Sequence, residues 1–259
     1  MTPRTPLSFT AQGSQGDTTI VLVHGLGGRR AQNAALADDL SSDSRVVSVD
    51  LLGHGASPVG QGARGMSAQV EALGQLIEDL ALTRVALVGH SAGGTTALRL
   101  TNRLPGIETL TLLDSSLIVS DAVRGWADRL VSALDRDGFR NAVKDHHRAG
   151  LGDRAGPRII DEINEAVDAT DPEVGSALLR DAVIFDASDE IRRSPSRLCY
   201  VNSSRPLSRE QLRAVRPDIS FHRIECAGHW VQVEHPRKVA DIIRRHVHAF
   251  TAAPLVDGG

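Results

Sequence analysis

Ser91 lies in Gly89-His90-Ser91-Ala92-Gly93, directly after the apolar run Val85–Val88 and just before a helix-like stretch, Thr95 to Leu104. A serine at so sharp a strand-to-helix turn takes strained backbone angles. Glycines two residues away on either side keep Cβ atoms out of the close crossing. The turn lifts the hydroxyl above the sheet edge and points the new helix's free N–H groups toward it. Ser91 is therefore expected to be a nucleophile; the competing reading is a tight turn with no chemistry. Ten histidines are available as a base, and a serine needs one, because its hydroxyl is barely nucleophilic at its own pKa.

The elements that must position these groups alternate between two periods. Thr18–Val23, Arg45–Asp50, the run before Ser91, Ile107–Leu113 and Arg197–Asn202 are continuous apolar or β-branched runs, as strands buried on both faces should be; Ile219–Glu225 is a further strand and Leu7–Ala11 an edge strand. Between them, 31–40, 67–82, 206–215 and 239–250 have helical spacing. This pattern specifies an α/β protein with a mostly parallel sheet covered on both faces. From Ser115 to Ser196 strand runs vanish and three helical faces appear: Trp126/Leu130/Val131/Leu134, Ile159/Ile163/Val167 and Val174/Leu178/Leu179/Val183. Segment 115–196 is expected to be a helical lid inserted into a core made of 1–114 and 197–259.

The chain has 259 residues, 41% of them hydrophobic, enough for one large domain. With 29 basic and 32 acidic residues, a net charge of −3 argues against a nucleic-acid or membrane-surface partner. Met1–Gln15 carries no apolar core of signal-peptide type, which makes cytoplasmic the expected localisation, as a monomer or homodimer. Cys199 and Cys226 read as small buried hydrophobes, and the tail 251–259 as disordered. No His, Cys, Asp or Glu set has convincing metal-ligand spacing, so neither metal nor cofactor is expected. The glycines after His24 lack the spacing and lysine of a phosphate-binding loop.

Four segments together carry a resemblance: His24-Gly25-Leu26-Gly27, Asp50-Leu51-Leu52-Gly53-His54-Gly55-Ala56-Ser57, the Ser91 turn, and Gly228-His229-Trp230. In these motifs and their order the chain resembles the α/β-hydrolase superfamily, in its lidded form that includes esterases, lactonases and thioesterases. The resemblance implies an α/β-hydrolase sheet with a helical lid, and a Ser–His–acid triad. It places the base at His229, in the loop after the last strand, and the oxyanion donors at the backbone N–H groups of Leu26 and Ala92. His24 and His54 read as loop organisers. His146 and His147 read as paired surface histidines that could touch substrate.

The acid departs from the common pattern. Many relatives carry it after the strand that follows the lid, but Tyr200-Val201-Asn202-Ser203-Ser204 offers no carboxylate. Asp114, one strand earlier, is the leading candidate, with Glu210 and Asp121 behind it; a Ser–His dyad oriented by Asn202 or Ser203 stays open. The pocket is expected to be lined by Leu26, His90, Leu117, Trp126, Phe139, Phe185 and Trp230. The expected reaction is hydrolysis of a carboxylic ester, lactone or thioester of a small hydrophobic acyl substrate through an acyl-enzyme. C–C bond hydrolysis, a cofactor-free dioxygenase or lyase with His229 as base, and a non-catalytic receptor are the alternatives.

Overall fold

A computed structural model describes residues 6–13, 17–60, 62, 64–117, 121–152, 155–203, 207–225 and 227–251. In chain order the elements are β1 (Phe9–Gln12), β2 (Thr19–Val23), a 3-10 turn (Arg30–Asn33), α1 (Ala34–Leu40), β3 (Arg45–Val49), α2 (Met66–Asp79), β4 (Val85–His90), α3 (Ala92–Thr101) and β5 (Ile107–Leu113). Then come α4 (Asp121–Ala149), α5 (Pro157–Ala169), α6 (Pro172–Val183) and α7 (Ser188–Arg193). The chain closes with β6 (Arg197–Asn202), α8 (Arg209–Val215), β7 (Ser220–Arg223), α9 (Val231–Glu234) and α10 (Pro236–Thr251). Cys226 and the tail 252–259 lie outside the described residues.

The seven strands form one sheet in the order β1-β3-β2-β4-β5-β6-β7, with β1 antiparallel and every other pair parallel. Because side chains alternate along a strand, the buried runs feed two cores at once. Val21, Val23, Leu87, Leu110, Leu112 and Tyr200 pack on one face with α2 and α3. Ile20, Leu22, Val88, Cys199 and Val201 pack on the other with α1 and α10. Burial holds the Cys199 thiol up at about 12, so it behaves as the small hydrophobe that was expected.

Of the four helices between β5 and β6, α4, α5 and α6 have a core of their own, Leu130, Leu134, Phe139, Val143, Val167, Leu179 and Val183, whereas Ile191 of α7 packs in the sheet core. Gly138 (φ 76°, ψ 166°) breaks α4 into two helical runs, a conformation glycine takes at no steric cost. Backbone bonds tie the insert to the sheet's loops. Asp171 N–H donates to Gly53 O at 2.8 Å, and His229 N–H donates to Gly150 O at 2.6 Å. The Asp181 carboxylate also accepts from Met66 N–H, at 2.8 Å, where α2 begins. Among the described residues no helix is long and apolar enough to cross a membrane.

The strand–helix crossing at β4 and α3 is tight. A Cβ on Gly93 would fall on the His24 carbonyl oxygen, and one on Gly89 would fall on the Gly94 backbone. Neither neighbour is a side chain that can turn aside. Gly93→Ala is therefore expected to destabilise the fold by about 3 kcal/mol or more, lowering Tm by roughly 10 °C. Thermal unfolding followed by circular dichroism checks it, and a Tm within 2 °C of wild type would contradict the packing described.

Candidate active site

Strand β4 ends at His90, and Ser91 follows with φ 52° and ψ −122°, a strained pair for any residue with a side chain. Ser91 N–H donates to Leu113 O at 2.9 Å, and Asp114 N–H donates to Val201 O at 2.8 Å. These bonds place Asp114 at the end of β5, between the Ser91 turn and β6. Asp114 itself sits at φ 45° and is fully buried. Its two carboxylate oxygens have different partners. Oδ2 lies 2.7 Å from His229 Nδ1, and Oδ1 accepts from Ser203 N–H at 2.9 Å.

His229 is held from several sides. His90 Nε2 lies 2.9 Å from the His229 carbonyl oxygen, so that nitrogen carries the proton and donates. Ser203 Oγ donates to Gly228 O at 2.6 Å, and the Glu234 carboxylate accepts from Gly228 N–H at 3.1 Å. The rings of His229 and Trp230 meet edge to face at 5.0 Å. With Nδ1 bonded to Asp114, the imidazole keeps the tautomer whose Nε2 carries a lone pair. Ser91 and His229 line one cavity of about 40 Å³, together with Leu26, Ala92, His90, Trp126 and Trp230.

A family model described as "Alpha/beta hydrolase family" matches residues 20–242. The chain belongs to the alpha/beta hydrolase family. It is 27% identical over 261 residues to esterase YbfF of Escherichia coli (strain K12), covering 92% of this chain and 96% of that one. It is 26% identical over 265 residues to the sn-1-specific diacylglycerol lipase ABHD11 of Mus musculus, covering 92% and 84%. A solved thermophilic esterase from Thermogutta terrifontis superposes with a TM-score of 0.79 at 25% identity, covering 94% of this chain and 93% of that one. The enol-lactonase from Burkholderia xenovorans LB400 shares the fold, with a TM-score of 0.78 at 20% identity over 93% and 96% of the two chains. With esterases and a lipase among its relatives, the protein is an enzyme of hydrolase type.

This alpha/beta hydrolase departs from the sequence reading at the pocket. Leu117, Phe139 and Phe185 are not among the residues that line the cavity. Leu117 is buried in the sheet's own core. Phe139 follows the break at Gly138 and turns into the insert, where its ring covers Gly175. Phe185 packs on the sheet core with the Arg99 guanidinium 5.3 Å above its ring. The cavity wall is completed instead by Leu130, Leu179, Ala182 and Val183 of the insert, and by Gln32, His146 and His147. His147 is a correction in kind: it is 5% exposed, not a surface histidine. Glu210 is exposed on α8, and the Asp121 side chain falls outside the described residues. Asn202 donates its side-chain N–H to Leu207 O at 2.8 Å, closing its own loop. Among the described residues no group of three or more His, Cys, Asp and Glu side chains is placed to hold a metal ion.

Ser203, which the sequence left open as an orienter of His229, braces Asp114 and the residue before His229, and Tyr200 is a support that the sequence did not single out. Ser203 spans from the Asp114 carboxylate to the carbonyl before His229, and Tyr200 Oη donates to Ser115 O at 2.8 Å just past Asp114. The signal for Ser203 was its position just past β6, beside Asp114 at the end of the neighbouring strand.

His24 and His54 hold the first two loops. Leu51 N–H donates to His24 Nε2 at 3.0 Å and the His24 Nδ1–H donates to Gly25 O at 2.7 Å. Gly27 N–H donates to His54 Nε2 at 3.3 Å and the His54 Nδ1–H donates to Leu52 O at 2.9 Å. Burial pushes His24 down to about 4, and burial with the neighbouring His24 pushes His54 down to about 3. His246, also buried, is lowered to about 4. Each of these groups takes a proton in the unfolded chain below about 6.5 but stays neutral in the folded one until pH 4 or lower. Stability is thus fully present above pH 6.5 and lost as pH falls toward 4, at up to about 1.4 kcal/mol per pH unit for each histidine. Urea midpoints measured between pH 7.5 and 4.5 are expected to fall steadily below 6.5; a flat profile would contradict the neutral, buried assignment.

Proposed function

We propose that the protein hydrolyses a carboxylic ester, lactone or thioester of a small hydrophobic acyl substrate, with Ser91, His229 and Asp114 as a catalytic triad. The observation that carries this reading is the 2.7 Å bond from buried Asp114 to His229 Nδ1, on a histidine that lines the same cavity as Ser91. His229 Nε2 takes the Ser91 proton as Oγ bonds to the acyl carbon. The backbone N–H groups of Leu26 and Ala92 receive the oxyanion; Ala92 opens α3, so its N–H has no helical acceptor. The tetrahedral species collapses, and the leaving alcohol or thiol departs with the proton from His229. A water then gives its proton to His229, attacks the acyl-enzyme, and releases the acid with Ser91 restored. Asp114 keeps the imidazole in the required tautomer and offsets its charge while it is protonated.

Residues 115–196 act in this reading as a lid. Trp126, Leu130, Leu179 and Val183 roof the cavity, and their apolar faces suit an acyl chain while limiting water.

A panel of p-nitrophenyl esters, lactones and acyl thioesters tests the proposal. Turnover of at least one class without oxygen consumption is expected. Oxygen uptake that survives Ser91→Ala would instead favour base-catalysed oxygenation on this fold.

A further inference from the structure

Two residues that line the Ser91 cavity each carry a buried polar atom with no hydrogen-bond partner among the described residues: His147 Nδ1 and Gln32 Oε1. They come from elements far apart in the chain, the end of α4 and the 3-10 turn after β2. Both meet at the glycine loop. A Cβ built on Gly27 would lie 3.3 Å from His147 Cε1, and one on Gly28 would lie 2.7 Å from Gln32 Oε1. The His147 ring is fixed edge to face against Trp230 at 4.8 Å. A buried polar group without a partner is disfavoured, and native proteins carry few. Two of them beside the loop that holds Leu26, on residues that line the same cavity as Ser91, are better explained by a substrate than by packing.

We propose that His147 and Gln32 form a recognition subsite for an uncharged acyl substrate that carries a hydrogen-bond donor, a hydroxyl or an amide N–H. This rests on the hydrolase reading above. Gln32 Oε1 only accepts, which calls for a donor on the ligand, whereas the imidazole can pair with either a donor or an acceptor. Burial, with His146 as a lesser cause, holds His147 well below the ordinary histidine range, so the ring is neutral in solution near pH 7. Among the described residues no Asp, Glu, Lys or Arg lines the cavity. An ionised ligand group would be buried there without a counter-charge. The subsite therefore favours neutral polar substituents over both charged and purely hydrocarbon ones.

Two matched pairs of esters test this: p-nitrophenyl butyrate against p-nitrophenyl 3-hydroxybutyrate, and ethyl butyrate against 2-hydroxyethyl butyrate. The first places the hydroxyl in the acyl part, the second in the leaving part. Wild type is expected to favour the hydroxylated member of at least one pair by about tenfold in kcat/KM, mostly through KM. In His147→Leu and Gln32→Leu that ratio should fall to about one, whereas His147→Gln, uncharged and still hydrogen-bonding, should keep most of it. Labelling of Ser91 by an organophosphonate in each variant reports that the site is assembled. No preference in wild type, or an unchanged ratio in both leucine variants, would overturn the subsite alone. A protein that neither cleaves any of the four esters nor forms a Ser91 adduct would overturn the hydrolase reading, and the subsite with it.

Discussion

Asp114→Asn is expected to lower kcat by about 10³- to 10⁴-fold, with KM little changed and the fold intact. The amide is nearly isosteric, so Ser203 N–H still finds an oxygen where Oδ1 stood. Facing His229 Nδ1, however, the amide either presents N–H groups or a weaker acceptor. Presenting N–H groups favours the tautomer with its proton on Nε2, and that imidazole cannot accept the Ser91 proton. The lost negative charge also leaves the transient imidazolium uncompensated in a site where both side chains are buried. Steady-state kinetics on a p-nitrophenyl ester, alongside a thermal midpoint within a few degrees of wild type, measures it. Activity within tenfold of wild type would remove Asp114 from the proposed triad.

Replacing Ser91 should have the larger effect on turnover, and replacing it by glycine should also raise stability. Ser91→Ala is expected to lower kcat by about 10⁵- to 10⁶-fold, the size seen when a triad nucleophile is deleted. Ser91→Gly is expected to be equally inactive and more stable than wild type by about 1 kcal/mol. A side chain held at φ 52°, ψ −122° stores strain of order 1–3 kcal/mol, and glycine relieves it at some entropic cost. Chemical denaturation of the two variants side by side checks this. A glycine variant less stable than the alanine variant would show that the turn is not strained as described.

Strain of this kind is what made Ser91 legible. A serine flanked by glycines, between an apolar run and a helix, has few structural uses, and the steric reasons for Gly89 and Gly93 can be given before any coordinates. The helix begins earlier than its spacing suggests, at Ala92 rather than Thr95, because Gly93 and Gly94 read as loop but are needed for close packing. The strands were equally legible, since β-branched runs buried on both faces admit few other readings. Asp114 was a candidate through the resemblance, as the carboxylate ending the strand before β6, and the structure puts its Oδ2 2.7 Å from His229 Nδ1.

The pocket was much less so. Helical spacing says which residues share a face, not what that face meets. Trp126 and Leu130 do reach the cavity, but Phe139 comes one residue after the kink at Gly138 and packs into the insert instead. His146-His147 looked like a solvated pair because nothing in their neighbours marks burial. Contact with Trp230, 83 residues away in the chain, is what buries His147. Gln32 gave no signal at all; a lone glutamine after a glycine loop is unremarkable until its carbonyl is seen without a partner.

The most direct measurement on the central claim is the site and stoichiometry of covalent labelling by a fluorophosphonate, read by peptide mass spectrometry. One adduct per chain is predicted, on Ser91 Oγ, forming orders of magnitude more slowly in His229→Ala. A preparation that cleaves esters while its adduct sits on another residue, or that labels Ser91 at the same rate without His229, would contradict the account.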